Sequence, residues 1–194
     1  AQLEKNDLKY LATLYRGLRQ MTTKTPVYTP ADVYKMKLRL PPIPSWMAIW
    51  KAMGTDPVGV PLPELYSSLK TGKAEASEGD LPQISGFKLN EVQTHLIITN
   101  HLVQTAGMLI NKPFFDKLSQ ADQDLIVKAG REAEEWANNK IKTEEGAILV
   151  DLQRKGMQVV IPDADSFRTT AKPAVEELFK SQWSVTTWAE VLAQ

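Results

Sequence analysis

The chain has 194 residues, with 23 lysines and arginines against 23 aspartates and glutamates, so its formal net charge at pH 7 is zero. This balance argues against nucleic acid or an acidic membrane surface as a partner, since either would favour a basic excess. Hydrophobic residues make up 43% of the chain and charged residues 24%, as in ordinary globular proteins. No apolar run approaches the roughly 18 residues of a spanning helix. We expect a soluble protein that does not itself span a membrane.

Cysteine is absent, which excludes disulfides, cysteine-rich zinc sites and thiol catalysis. The chain begins at Ala1 without an initiator methionine or a signal segment, so we expect that a preceding segment was removed. Localisation therefore has to be inferred from other features.

The first half of the chain alternates predicted helices and strands. Apolar residues at helical spacing predict a helix over 7–18, and polar-apolar alternation predicts a strand over 37–40. Ser45 is expected to cap the next helix, which Gly54 ends. Further strands are expected at 57–62, 91–100, 105–110 and 157–161, and short helices near 64–69 and within 80–88.

The strongest structural signal is a long helix over 121–155, with apolar residues at steps of four from Leu125 to Ile141. At about 1.5 Å per residue it would be on the order of 50 Å long, more than one domain of this size is wide. Gly146 is a potential kink. A helix capped by Asp163 or Asp165 and a short amphipathic piece with Trp188 follow. These elements predict an α/β protein of two lobes bridged by a long helix.

Motifs for catalysis and metal binding are weak. His95 and His101 lack the spaced carboxylate or histidine partners of zinc sites, and we expect His95 to be a packing or surface residue. No phosphate loop, nucleophile elbow or HExxH motif occurs. Paired acids such as Glu134 and Glu135 are typical of a solvated helix face. We therefore expect no catalytic residue, no metal site and no cofactor.

Arg39 is the most informative charged residue, because it lies at the end of the strand predicted over 37–40. Open α/β sheets bind ligands at the carboxyl ends of their strands. A guanidinium can bind a carboxylate through two parallel hydrogen bonds, which lysine cannot do. The alternative is a structural ion pair or a solvated side chain.

Several runs resemble the solute receptors of tripartite ATP-independent periplasmic (TRAP) transporters, the DctP-type family. The resemblance extends over the whole chain, but it corresponds to the later two-thirds of such a receptor. It is carried by Gly17–Gln20, Tyr34–Pro41, Met53–Val58, Pro63–Gly72, Phe87, Glu91–Gln93, Thr99–His101, Ile110–Asn111, Leu118 and Asp122–Gln123.

The resemblance implies a two-lobed periplasmic binding protein fold whose first lobe is incomplete in this chain. Residues 17–104 and 145–194 would form the second lobe. Residues 1–16 and 105–144 would form the remnant of the first lobe and the bridging helix. A lobe without its central strands is expected to leave a sheet edge and apolar surface uncovered.

The resemblance also implies a binding site. Arg39 matches the arginine that receives the ligand carboxylate, and Arg19 matches a second arginine, for which a hinge ion pair is the alternative. Leu62 matches a side chain over the ligand, and His101 matches a position near the cleft. Trp46, at the start of the helix after Arg39, is an aromatic wall or a packing residue.

One segment departs from the family pattern. Glu75 and Ala76 replace the family's Asp-Gly, and Gly79 replaces an asparagine that binds ligand in sialic-acid-type relatives, which argues against sialic acid. Glu78 and Asp80 are candidate acceptors for ligand hydroxyls or an amine, with a loop-capping role as the alternative.

The function implied by the resemblance is capture of an organic carboxylate (a sugar acid, an aromatic acid or a dicarboxylate) by closure of two lobes in the periplasm. The receptor would then deliver the ligand to the membrane subunits of a TRAP transporter, without enzymatic activity. Two alternatives stay open: a periplasmic ligand-sensing module, and an enzyme acting on sugar or keto acids with Glu78 or His101 as base.

Overall fold

The computed structural model describes residues 3–183 and 185–193. Six strands of the described chain form one sheet, in the order β3-β2-β4-β1-β5-β6. They are β1 (Leu8–Thr23), β2 (Lys37–Leu40), β3 (Asp56–Gly59), β4 (Ala76–Asp80), β5 (His95–Asn111) and β6 (Gln158–Val160). The helices are α1 (Pro44–Ala52), α2 (Leu65–Lys70), α3 (Leu81–Gly86), α4 (Lys112–Phe115), α5 (Gln120–Arg154), α6 (Ala164–Ser181) and α7 (Trp188–Leu192). The predicted α/β class is confirmed.

The chain divides into two compact units. Unit 1 comprises the chain through Arg19, Asp80–Pro82 and Asn100–Asp151, and unit 2 comprises Gln20–Gly79, Gln83–Thr99 and the chain from Leu152 onward. The division of the chain into two binding-protein lobes at the boundaries given above stays a prediction.

Unit 2 has an apolar core between the sheet and the helices α1 and α6. Leu38 and Leu40 of β2 are fully buried, and the core extends to Trp50 of α1 and Phe167 of α6. Strand β2 is parallel to both β3 and β4, with Arg39 opposite Val58 on one side and opposite Ser77 on the other. The predicted strand over 37–40 is therefore confirmed as an interior strand.

Unit 1 contains a long two-stranded ribbon and most of helix α5. The amide of Lys112 donates to the carbonyl of Asp7, so residues at the start of β1 face the end of β5. Side chains of α5 accept hydrogen bonds from amides of β1: Glu134 from Thr13 at 3.3 Å and Asn138 from Tyr15 at 2.6 Å. The helix thus satisfies backbone donors that a further strand would otherwise pair.

The predicted helix over 7–18 is wrong, because these residues belong to β1. The leucines there have helical spacing, but the segment also carries Tyr10, Thr13 and Tyr15, which suit a strand. Long-range pairing with β5 and the hydrogen bonds from α5 decide between the two conformations.

Three other expectations need correction. The strands expected at 91–100 and 105–110 are one continuous strand, β5, and the strand β4 was not predicted. Helix α1 is not capped by Ser45: it begins at Pro44, whose fixed φ and missing amide suit a first helical position.

The prediction of a long helix is confirmed. Helix α5 runs unbroken through Gly146, and each of its ends lies within one residue of the predicted end.

Candidate ligand site

The parallel strands β2, β3 and β4 of unit 2 end at a common sheet edge. Each is followed by a short connection: 41–43 after β2, 60–61 after β3, and helix α3 directly after β4. Because the strands are parallel, their carboxyl ends meet at this edge, where α/β sheets bind ligands. The sequence predicted such an edge from Arg39 alone.

Arg39 is fixed at this edge by a backbone carbonyl. Its side chain is 1% exposed, and its Nε and Nη2 atoms donate to the carbonyl oxygen of Val60 at 3.0 and 2.7 Å. Val60 directly follows β3, so the neighbouring strand orients the guanidinium. Burial of a charge requires partners of this kind, and the two bonds set the guanidinium plane before any ligand binds.

Trp46 and Leu62 lie in the connections that follow β2 and β3. Trp46 is half-buried in the first turn of α1, and Leu62 is 41% exposed at the start of a short 3-10 helix, Leu62–Glu64. Both residues follow strands that end at the Arg39 edge. Their contact with a ligand stays a prediction.

Strand β4 contributes Ser77, Glu78 and Gly79, all of them buried. Ser77 is the register partner of Arg39, so the two side chains lie on the same face of the sheet. By strand alternation Gly79 shares that face, whereas Glu78 points to the face of Leu38 and the apolar core. The hydroxyl of Ser77 has no hydrogen-bond partner among the described residues.

Unit 1 holds Arg19 and Asp80 together. Arg19 is 4% exposed, its Nη1 donates to Oε1 of Gln104 at 2.9 Å, and the same nitrogen lies 3.9 Å from Oδ2 of Asp80. The half-exposed side chain of Arg16 lies 3.4 Å from the same carboxylate oxygen. Asp80 is fully buried, so two guanidinium groups lie beside one buried carboxylate.

His101 lies on β5 in unit 1, directly after Asn100, whose φ is 44°. From His101 to Asn111 the strand alternates exposed and half-buried residues, and His101 is on the exposed face while Gln104 is on the other. Arg19 bonds Gln104, which is on the half-buried face of β5. Strand alternation places His101 on the opposite face, away from Arg19. A role for His101 in binding stays a prediction.

Sequence reasoning missed three groups in these two clusters: the Val60 carbonyl, Gln104 and Arg16. A backbone carbonyl that accepts a hydrogen bond leaves no pattern in the sequence. Gln104 can bond Arg19 because β1 pairs with β5. Arg16 belongs to no motif that the sequence offers. Its position three residues before Arg19 gave no reason to expect a shared partner.

Among residues 3–183 and 185–193, no cluster of three or more histidine, aspartate or glutamate side chains is arranged to hold a metal ion. In the same residues no helix combines the length and the apolar character needed to cross a bilayer.

Buried Arg39 lies at the carboxyl ends of parallel strands, where open α/β sheets bind ligands, and comparison with known proteins gives the family. Residues 1–182 match the model of the DctP family, described as bacterial extracellular solute-binding protein, family 7. The chain therefore belongs to this family, and the resemblance drawn from the sequence is confirmed.

Individual relatives agree with this assignment. The chain is 30% identical over 175 residues to the sialic acid-binding periplasmic protein SiaP of Vibrio cholerae, covering 90% of this chain and 54% of that protein. It is similar to the crystal structure of a TRAP periplasmic solute-binding protein from Roseobacter denitrificans with bound L-galactonate, at 30% identity and a TM-score of 0.85, covering 94% of this chain and 62% of that one.

A second solved structure is a TRAP periplasmic solute-binding protein from Polaromonas bound to D-erythronate, at 31% identity and a TM-score of 0.86, covering 93% of this chain and 60% of that one. The predicted binding-protein fold is thus confirmed for the part that the chain represents. The chain spans about half the length of the curated relative and about three-fifths of the solved structures.

Proposed function

We propose that this chain is the major part of an extracytoplasmic solute receptor that binds an organic carboxylate, with hydroxylated sugar acids as the favoured class. The receptor works in the periplasm and delivers its ligand to the membrane subunits of a TRAP transporter. It changes no covalent bond in the ligand.

The observation that carries this proposal is the buried, pre-oriented guanidinium of Arg39 at the strand edge of unit 2. A family assignment to solute-binding proteins supports it. The named ligands of the three relatives are sialic acid, L-galactonate and D-erythronate, and each of them is a carboxylic acid.

The chemistry of a buried arginine explains why a carboxylate would be selected. An anion that leaves water for a protein interior loses its hydration, and only a paired and hydrogen-bonded charge makes up for that loss. Because the Val60 carbonyl already orients the guanidinium, a carboxylate meets a planar donor group in a fixed position. A neutral ligand of the same shape would form only hydrogen bonds without charge assistance, which are weaker.

Arg19 is proposed as a second cationic group for the ligand. Its position is held by Gln104 and by the buried Asp80, and Arg16 adds a further positive charge beside that carboxylate. The ion pair with Asp80 also supports the structural alternative, so Arg19 needs its own test. Replacing Asp80 with asparagine should remove the ion pair that holds the Arg19 side chain in place, while the hydrogen bonds from Arg39 to Val60 stay unchanged.

A thermal-shift screen of purified protein carrying the full chain tests the proposal. The panel contains aldonates, uronates, sialic acid, aromatic acids and dicarboxylates, and a ligand that binds only the native state raises the melting temperature by mass action. Arg39→Lys keeps the charge but not the two-pronged geometry, and we expect it to lower the affinity for the best ligand about tenfold or more. Arg168→Lys is the control, since Arg168 is 76% exposed on α6.

The proposal fails if the wild-type protein binds no member of the panel, or if folded Arg39→Lys binds as tightly as wild type. Mass spectrometry of the ligand after prolonged incubation separates a receptor from an enzyme, because a receptor returns the ligand unchanged. Binding of the loaded protein to TRAP membrane subunits in detergent separates transport from sensing.

A further inference from the structure

Gly79 is a glycine for reasons of space rather than of backbone conformation. It lies within β4 and its φ is outside the left-handed region. A Cβ at this position would overlap the side-chain amide nitrogen of Gln83 and lie 2.9 Å from its Cδ. The missing side chain therefore leaves room for the Gln83 amide against the backbone of β4.

The Gln83 amide comes from the first turn of α3, the helix that directly follows β4. Its Nε2 is 3.4 Å from the carbonyl oxygen of Glu78, a long contact that fixes the direction of the side chain. Gln83 is half-buried. Its amide thus lies where the side chain of residue 79 would otherwise be.

This place is on the same face of the sheet as Arg39. Ser77 is the register partner of Arg39, and Gly79 is one alternation step further towards the carboxyl edge. With strands about 4.8 Å apart and about 3.3 Å per residue, the Cα atoms of Arg39 and Gly79 are roughly 8 Å apart. The buried Ser77 hydroxyl without a partner in the described chain lies between them on this face. Ser77 and the Gln83 amide therefore share the face of the sheet from which the Arg39 side chain projects.

We propose that Gln83 determines ligand specificity: its amide hydrogen-bonds a hydroxyl or carbonyl of the acid whose carboxylate Arg39 binds, and Gly79 makes room for that amide. This inference rests on the proposed function. A side-chain amide offers both a donor and an acceptor, so it matches a hydroxyl next to the carboxylate end and gains nothing from a methylene. Such a site favours hydroxylated acids over plain dicarboxylates.

Affinities for L-galactonate, D-erythronate and succinate, measured by calorimetry, test this inference. Gln83→Met keeps the volume but removes the amide, and we expect it to weaken binding of the two hydroxylated acids about fivefold to tenfold while succinate binding is unchanged. Gly79→Ala should give the same selective loss although Gln83 is still present, because the new Cβ displaces the amide. The double variant should bind no more weakly than either single variant, since all three remove the same contact.

Gly86→Ala is the matched control. Gly86 is in the same helix, its Cβ would meet nothing within 4 Å, and the variant should bind as wild type does. The inference is overturned if wild type binds the hydroxylated acids and folded Gln83→Met binds them equally well, or if succinate binding falls by the same factor. If wild type binds no member of the thermal-shift panel, the proposed function itself fails, and the two results are thereby distinguished.

Discussion

Gly17 shows how a single residue can be required by both backbone and neighbours. It has a φ of 107°, and a Cβ there would overlap Oε1 of Glu145, the oxygen that accepts the Leu18 amide at 3.2 Å. The same carboxylate accepts the Tyr15 hydroxyl at 3.3 Å through Oε2. Two hydrogen bonds to Glu145 of α5 therefore stabilise β1 of unit 1 where its backbone is irregular.

We expect Gly17→Ala to lower the free energy of unfolding by about 1–3 kcal/mol, because a non-glycine residue at this φ is strained and the Glu145 bonds are displaced. Chemical denaturation measures the change. Gly107→Ala is the control in unit 1, since its φ is ordinary and its Cβ would meet only Leu109 carbons at 3.8 Å or more. Equal stability of the two variants would contradict the role given to Gly17.

The same contact predicts a pH effect. Burial raises the pKa of Tyr15, and the negative charge and hydrogen bond of Glu145 raise this pKa further. Because the folded-state pKa is above the unfolded value of about 10, the stabilisation is fully present below that pH and is lost as pH rises through the folded pKa. We expect wild type to lose more stability than Tyr15→Phe between neutral and strongly alkaline pH. Parallel urea denaturation series for the two proteins would show a constant difference if this is wrong.

At the scale of elements, helix α5 was predictable from its apolar repeat although it contains glycines, which are unfavourable in a helix. Gly146 lies in the helix interior, and a Cβ there would meet nothing within 4 Å. An exposed interior glycine costs a helix about 1 kcal/mol relative to alanine. Gly146→Ala should therefore raise the free energy of unfolding by about 0.5–1 kcal/mol.

Thermal and urea denaturation test this gain, and Gly130→Ala in the same helix is the comparison. Its Cβ would lie 3.4 Å from Cβ of Leu11 and 3.9 Å from the sulfur of Met108, so part of the gain is offset by closer packing. A Gly146 variant that is no more stable than wild type would show that the helix needs this glycine.

Elements defined by local patterns were predictable, and those defined by distant partners were not. The strand over 37–40 was identified from alternation, and α5 from its apolar repeat, because each pattern is contained in the segment itself. The leucines of β1 also follow a helical repeat, and pairing with distant strands together with the α5 side chains makes this segment a strand. The same limit applies to the candidate site: Arg39 was identified from its strand end, but the Val60 carbonyl and Gln83 approach it through the fold.

At the scale of the whole chain, the balance of charges has a measurable consequence. The formal net charge is zero at pH 7 and the isoelectric point is about 7.0. Proteins without net charge associate more readily, so we expect the lowest solubility near pH 7 and higher solubility on either side. Precipitation with polyethylene glycol across a pH series gives the curve.

Lys24→Glu tests the cause of that minimum. Lys24 is exposed, and the substitution changes the formal net charge from zero to −2. The minimum should move to lower pH, whereas Lys24→Arg should leave it in place. An unmoved minimum in the glutamate variant would indicate a cause other than net charge.

The connections at the Arg39 edge have a consequence for how this part of the sheet can diversify. Arg39 is set by an interior strand, whereas Trp46, Leu62 and Gln83 follow the ends of three different strands. A substitution in one connection leaves the strand register and the other two connections intact. Duplicated genes could therefore change one connection at a time without disturbing the interior strand that positions Arg39.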